Sequence, residues 1–350
     1  VAGGAPPDGF PAAFDETEPL LPAGWVSARR GAGTDLPRCD RRPEEAWWSE
    51  YLPAERVLYL RLRRVEPVKG DLTFGRFLKR TFALADSLRP AALVVDLRHD
   101  HGGNNTILDP LIHGIIARPW LDQDGALFTI TDRGTFSAAM NAAVFLEEHT
   151  HTEFAGEPTG GRVNHYGDAS EANTPNFGMM LAVSEWPWAA RLPWDDRKWI
   201  APHLAAPATF EAWRDRRDPA MDLVLDAVSH GTLQGRVLAA ALSGGTMATD
   251  AACEAWIKGH PNPWKPGIEP ELEALTARLQ DDGPPGAALA VADLRTRRFP
   301  QSSQAWRRLA EAALEAGDRA RAVASLRRAL ALNPQSRTAR YMLEQLGEKP

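Results

Sequence analysis

Residues 125–143 read GALFTITDRGTFSAAMNAA: an apolar run over Ala126–Thr131, a short polar turn, then Ser137 opening an alanine-rich helix. Earlier in the chain, residues 91–105 read AALVVDLRHDHGGNN, a second apolar run that ends in Gly102 and Gly103. Both runs are apolar throughout rather than alternating, the pattern of strands buried on both faces. Each breaks at a turn that leaves backbone N–H groups exposed, and the stretch 125–143 adds a hydroxyl, that of Ser137. Open α/β folds place their active sites at such breaks, at the carboxyl ends of strands.

Outward from these two segments the same alternation continues. Arg56–Val65 sets Leu58, Leu60 and Leu62 against mostly polar neighbours, a period of two that predicts a strand. Phe74, Phe77, Leu78, Phe82 and Leu88 fall at helical spacing over Thr73–Leu88, before Pro90. Ile107–Ala117 and Ser137–Glu148 predict further helices, with Pro110 tolerable in a first turn. Glu153–Gly156 and Met180–Trp186 predict further strands. The whole reads as a largely parallel sheet covered by helices. From Asp218 the pattern turns helical: Asp218–Val228, Arg236–Leu242, Asp250–Lys258 and Pro270–Leu279 are each amphipathic. RRFPQS at 297–302 returns as ALNPQS at 331–336, and Pro300 to Pro334 is one period of about 34 residues. With Trp306, Leu309, Ala310, Gly317, Ala322, Leu326, Ala329 and Pro334, this stretch resembles a tetratricopeptide repeat. One repeat and two flanking halves are too few to stand alone, so they are expected to dock on the preceding helices.

Bulk composition narrows the function. A net charge of −6 argues against a nucleic-acid binder, and no apolar stretch reaches membrane-span length. Cys39 and Cys253 have no metal-type spacing and read as two independent free thiols. His99-Asp100-His101 and His149-Thr150-His151 lack a third spaced ligand, so neither a metal nor a cofactor is expected. The chain opens at Val1 on VAGGAPPDG, without Met or an apolar leader, so a processed or truncated start is expected. Residues 1–50 are rich in Pro, Gly and charge, with one short extended piece at Gly24–Arg29. The tryptophans at 47–48 and 186–199 read as core and inter-domain packing, or as a groove for peptide or sugar. The WPWAARLPWDDRKW stretch is a candidate flap over a cleft.

Taken alone, Ser137 is either a helix N-cap or a nucleophile beside the N–H of Ala138, a helix-start donor suited to an oxyanion hole. Four ordered blocks bear on that choice. They are Asp96-Leu97-Arg98 with Gly102-Gly103-Asn104, Gly134 to Ala139, Gly156-Glu157-Pro158-Thr159-Gly160-Gly161, and Trp199 to Pro202 with Arg217-Asp218-Pro219. Over roughly residues 55–230 this series resembles the tail-specific (C-terminal-processing) serine peptidases, with their tricorn-type and interphotoreceptor retinoid-binding-type relatives. The resemblance implies a crotonase/ClpP-like β/α core. It implies Ser137 as nucleophile, with an oxyanion hole from the N–H groups of Gly102 or Gly103 and of Ala138.

One departure from the family is plain. Counting on from Ser137, the position of the family's lysine base is Arg162, and a guanidinium does not give up its proton. Three readings follow. His165 serves as base, with His99 and His101 as weaker candidates and Asp168, Glu171, Asp195 or Asp196 as its orienting acid. Alternatively the base lies upstream of Val1. Alternatively the domain is inactive and binds peptides or proteins through the cleft and the repeats. Arg162 could clamp a carboxylate such as a peptide C-terminus. No peptide-tail-binding module fits between 65 and 91, which leaves the repeats as the candidate recruiter of a substrate or protein partner. The expected organisation is an extended segment at 1–50, the α/β domain at 51–230, a helical linker at 231–283 and repeats at 284–350. The resemblance implies a periplasmic, secreted or envelope location.

Overall fold

A computed structural model of the chain describes residues 36–67, 73–264 and 267–349. The extended piece expected at Gly24–Arg29 and the start of the chain lie outside them. The described residues fall into two compact units, one up to 202 together with 206–223, the other 203–205 together with those from 224 onward.

The first unit is built on a mixed sheet. Strands β1 (Trp47–Leu52), β2 (Val57–Leu62), β3 (Ala92–Asp96), β4 (Leu127–Thr131) and β5 (Glu153–Gly156) lie side by side in chain order. β1 is antiparallel to β2, and the other pairings are parallel. At the β5 edge the Ala206 N–H donates to the Gly156 carbonyl oxygen at 2.8 Å. The parallel strands need crossovers, supplied by α1 (Phe74–Leu88), α2 (Asp109–Ile116) and α3 (Ala138–His149). Thr73 caps α1 by accepting the Arg76 N–H, and the apolar face read from the sequence is the face that is buried. Leu58, Leu60 and Leu62 join Leu93, Val95, Leu127 and the inner faces of the three helices in one core.

β2 differs from its alternating pattern, because all six residues are buried. A parallel sheet is covered on both faces, so its polar positions must find partners inside. Tyr59 donates to Asp96 Oδ2 at 2.7 Å. The Arg61 guanidinium donates to the main-chain oxygens of Cys39, Leu62 and Asp96. Arg98 then spans two carboxylates, Asp96 and Asp218. Burial opposes the Asp96 charge, yet Arg98 and Arg61 hold its pKa down at about 2.

Met180–Trp186 is not a further strand of the main sheet. It belongs to a separate antiparallel ribbon of β6 (Asn164–Asn173) and β7 (Met180–Ala189). The tight connection, with Thr174 N–H donating to the Met179 carbonyl oxygen, pairs the two strands locally. The tryptophans divide accordingly. Trp47 and Trp48 are core residues, whereas Trp186 is 63% and Trp194 76% exposed and neither packs a core. Short α4 (Phe210–Arg214) and the start of α5 (Pro219–His230) complete the unit.

The second unit is helical. After α5 come α6 (Leu233–Gly259), α7 (Glu269–Asp282), α8 (Pro285–Arg298), α9 (Ser303–Glu315), α10 (Arg319–Leu332) and α11 (Arg337–Gln345). The two helices expected at 236–242 and 250–258 are two arms of α6, parted by Gly245 at φ 62° and ψ −154°. Ser302, Asp318 and Ser336 cap the last three helices. Ala310, Ala313, Ala322, Leu326, Ala329, Ala339 and Leu343 form their shared core. α8 packs on α6, α7 and α9, so the repeat does dock on the helices before it. Among the described residues no helix is long and apolar enough to cross a membrane.

Candidate active site

The turn between β4 and α3 is fixed from both sides. Within it, Asp132 accepts the N–H of Gly134 on Oδ1 at 2.9 Å, and the Thr135 N–H closes on the Asp132 carbonyl at 3.0 Å. Thr135 Oγ1 donates to the Leu97 carbonyl at 2.9 Å, and Phe136 N–H donates to the Asp100 carbonyl at 3.0 Å. On the other side Gly160 N–H donates to the Thr135 carbonyl at 2.9 Å. The loop after β3 and the loop after β5 thus clamp the residues that lead into Ser137.

Held this way, Ser137 has φ 54° and ψ −123° and makes no side-chain cap hydrogen bond. An L residue with this backbone is strained. The serine is at the N-cap position without acting as a cap.

Gly102 lies directly against it. A Cβ on Gly102 would meet Ser137 Cβ at 2.5 Å and Ala138 N at 2.7 Å, and φ is +109°. Only glycine allows this approach. The Gly102 N–H donates to Asp100 Oδ1 at 2.9 Å, and its carbonyl accepts from Val65 N–H at 3.0 Å. Gly103, at φ +138°, is pressed on the Val65 carbonyl, which also receives the Asn104 N–H. The N–H groups of Gly103 and Ala138 make no hydrogen bond among the described residues.

His165 is the second residue of β6 and is buried, at 8% exposure. Its ring lies 5.8 Å, centroid to centroid, from that of Phe136, the residue before Ser137. Across the ribbon it pairs with Trp188. Burial lowers its pKa, against a smaller raising contribution from the Arg162 main chain. Nδ1 is buried without a hydrogen-bond partner. No hydrogen bond joins His165 to Ser137 among the described residues. The four acids considered as its orienting partner are engaged elsewhere or exposed. Asp168 accepts the Trp188 Nε1–H, Asp195 is bound by Arg197 and Arg191, and Glu171 and Asp196 are exposed. The Arg162 side chain is exposed and has no acid partner among the described residues.

The weaker candidates separate. His99 is ion-paired through Nδ1 with Asp132 Oδ2 at 2.7 Å. Burial lowers its pKa, but the hydrogen bond and charge of Asp132 outweigh that and raise it. The His101 ring lies beside Gly134 and is exposed. Phe136, within the Gly134 to Ala139 block, has its ring against Gly161 and 5.8 Å from that of His165, a contact that no sequence spacing predicts.

Comparison with known proteins gives three results. A tetratricopeptide repeat profile matches residues 303–346. No curated protein sequence matches the chain. Solved structures similar to it include a protein of Parabacteroides merdae assigned to the peptidases, at 14% identity and TM-score 0.38, covering 52% of this chain and 64% of its own. The photosystem II D1 C-terminal processing protease aligns at 14% and 0.34, over 54% and 53%. A Bacteroides fragilis protein assigned to the S41 proteases aligns at 14% and 0.36, over 52% and 57%. These alignments span between about half and two thirds of the neighbours' own length, and no residue role is carried over from them. The neighbours are of the kind the sequence resemblance names.

Proposed function

We propose that the first unit is a serine-type peptidase that hydrolyses peptide bonds through Ser137. The Ser137 backbone carries this reading. A serine that merely caps a helix has extended backbone and accepts an N–H from the first turn. Ser137 does neither. Holding it at positive φ costs about 1–3 kcal/mol, and such strain gathers at active sites. A strained strand-to-helix turn is also how other hydrolases expose a nucleophilic hydroxyl.

The roles follow. His165, kept neutral by burial, takes the Ser137 proton as Oγ attacks the substrate carbonyl carbon. The N–H groups of Gly103 and Ala138 receive the developing oxyanion, and Gly102 keeps space open beside them. His165 returns the proton to the leaving amine, and water releases the acyl group by the same proton path. Arg162 serves as a carboxylate clamp for substrate. The repeats at 303–346 offer a protein-binding surface for recruitment.

Labelling of the full chain with a fluorophosphonate serine probe tests this. The wild type labels, Ser137→Ala does not, and His165→Gln labels about 10²–10⁴ times more slowly. Equal labelling of wild type and Ser137→Ala sinks the nucleophile. The unpartnered Nδ1 of His165 favours a second reading, an inactive peptide-binding scaffold. A folded wild type that binds peptide but never labels would establish it.

A further inference from the structure

Three residues that this chemistry leaves unused meet in the first unit. Cys39 and Asp40 come from the short 3-10 turn Arg38–Asp40, and His99 from the loop after β3. One atom from each, a thiol sulfur, a carboxylate oxygen and a ring nitrogen, all lie within 4.8 Å of one another. We propose that Cys39, Asp40 and His99 bind a divalent zinc ion, with Asp132 as the positioning residue behind His99.

The donor set is the first argument. Sulfur, nitrogen and oxygen together are what zinc takes, whereas magnesium and calcium want oxygen alone. Spacing along the chain supplies His99 with no partner ligands; the fold brings two, Cys39 and Asp40, from a turn about 60 residues earlier.

The second argument is orientation. Asp132 Oδ2 is 2.7 Å from His99 Nδ1, and both Asp132 oxygens also accept the His99 main-chain N–H. That pairing fixes the ring and leaves Nε2 as the ligand nitrogen, the carboxylate–histidine–metal arrangement of zinc sites. His99 is held at φ 55° to make it. The Cys39 carbonyl is in turn gripped by Arg61, so the sulfur is also carried on fixed backbone.

The third is access. A cavity of about 190 Å³ is lined by Cys39, Asp40, His99, Asp132, Glu157 and Asp218 among others. It leaves a fourth coordination position for water or a substrate atom, as in sites that keep three protein ligands. Of the cations nearby, Arg98 is already spanned by Asp96 and Asp218, and Arg61 is turned to main-chain carbonyls. Ser137 and His165 do not line this cavity, so the site stands independently of the peptidase reading.

The test uses the full chain stripped with a chelator, then titrated with Zn²⁺ and with Co²⁺. One zinc binds per chain, and the cobalt form develops a thiolate-to-metal charge-transfer band. Cys39→Ala loses the band and Cys253→Ala keeps it. Asp132→Asn weakens zinc about 10–100-fold. No saturable binding, no charge-transfer band in the wild type, or a band that survives Cys39→Ala overturns the site. Should Cys39→Ala fail to fold, the wild-type band and its retention in Cys253→Ala decide the matter.

Discussion

Replacing Ser137 by glycine tests the strain directly, because the outcome has an unusual sign. At an ordinary position glycine lowers stability by about 0.4–1 kcal/mol relative to alanine, through the freer unfolded chain. At φ 54° and ψ −123° it also removes a conformational penalty of about 1–3 kcal/mol, which alanine retains. The two effects leave Ser137→Gly more stable than Ser137→Ala by about 0–2.6 kcal/mol. For a unit of this size each kcal/mol moves Tm by roughly 2–4 °C, so the melting point rises by up to about 10 °C. Circular dichroism melts of the two variants, at equal concentration and pH, read the difference. A Ser137→Gly variant that melts below Ser137→Ala, by the ordinary glycine cost, would refute the claim that this backbone is strained. The link between strain and function would fall with it.

Three further outcomes are expected. Gly102→Ala drives a methyl into Ser137 and should cut fluorophosphonate labelling about 100-fold, the usual cost of a misplacement near 1 Å. Gly103→Ala, whose methyl strikes the Val65 carbonyl instead, should chiefly lower Tm; equal loss of labelling in both would remove the steric role assigned to Gly102. His165 has a lowered pKa and acts as a neutral base, so labelling should rise with pH through an inflection below 6.5 and then level, and a pH-independent rate excludes it as base. Asp96, depressed to about 2, stabilises the fold by about 2.6 kcal/mol above the unfolded carboxyl pKa near 3.9, and that contribution disappears as pH falls from 4 toward 2. Urea melts across that window should show the acid loss in the wild type and a flatter slope in Asp96→Asn.

The parts of the fold that local pattern controls were readable in the chain. β3 and β4 are short, mostly apolar runs, and α1 has both its stripe and its Thr73 cap in sequence. The repeat helices carry a periodic alanine face and a proline at a fixed offset. β6 was not readable, because Asn164–Asn173 has no apolar alternation; its ribbon is exposed over most of its length and β7 is its one strand partner among the described residues. Arg61 looked like a solvent-facing position, and only the carbonyls of distant segments explain its burial. Ser137 was legible as a helix start but not as a strained one, since φ is imposed by Leu97, Asp100 and Gly160. The meeting of Cys39 with His99 depends on the sheet bringing the N-terminal turn back over the β3 loop, which no spacing rule encodes.

The carboxylate bridge through Arg98 has a consequence for how the chain is made. Its partner Asp218 lies 120 positions further along the chain. At a synthesis rate of 5–20 residues per second, about 6–24 s separate the appearance of Arg98 from that of Asp218. During that interval the strands through β5 can pair, but Arg98 faces only one of its two carboxylates. The first unit therefore completes its buried charge network late, when the opening of α5 leaves the ribosome. A nascent chain stalled before that point holds a sheet whose Arg98 has made only one of its two carboxylate contacts, the state in which a chaperone or a protease would meet it.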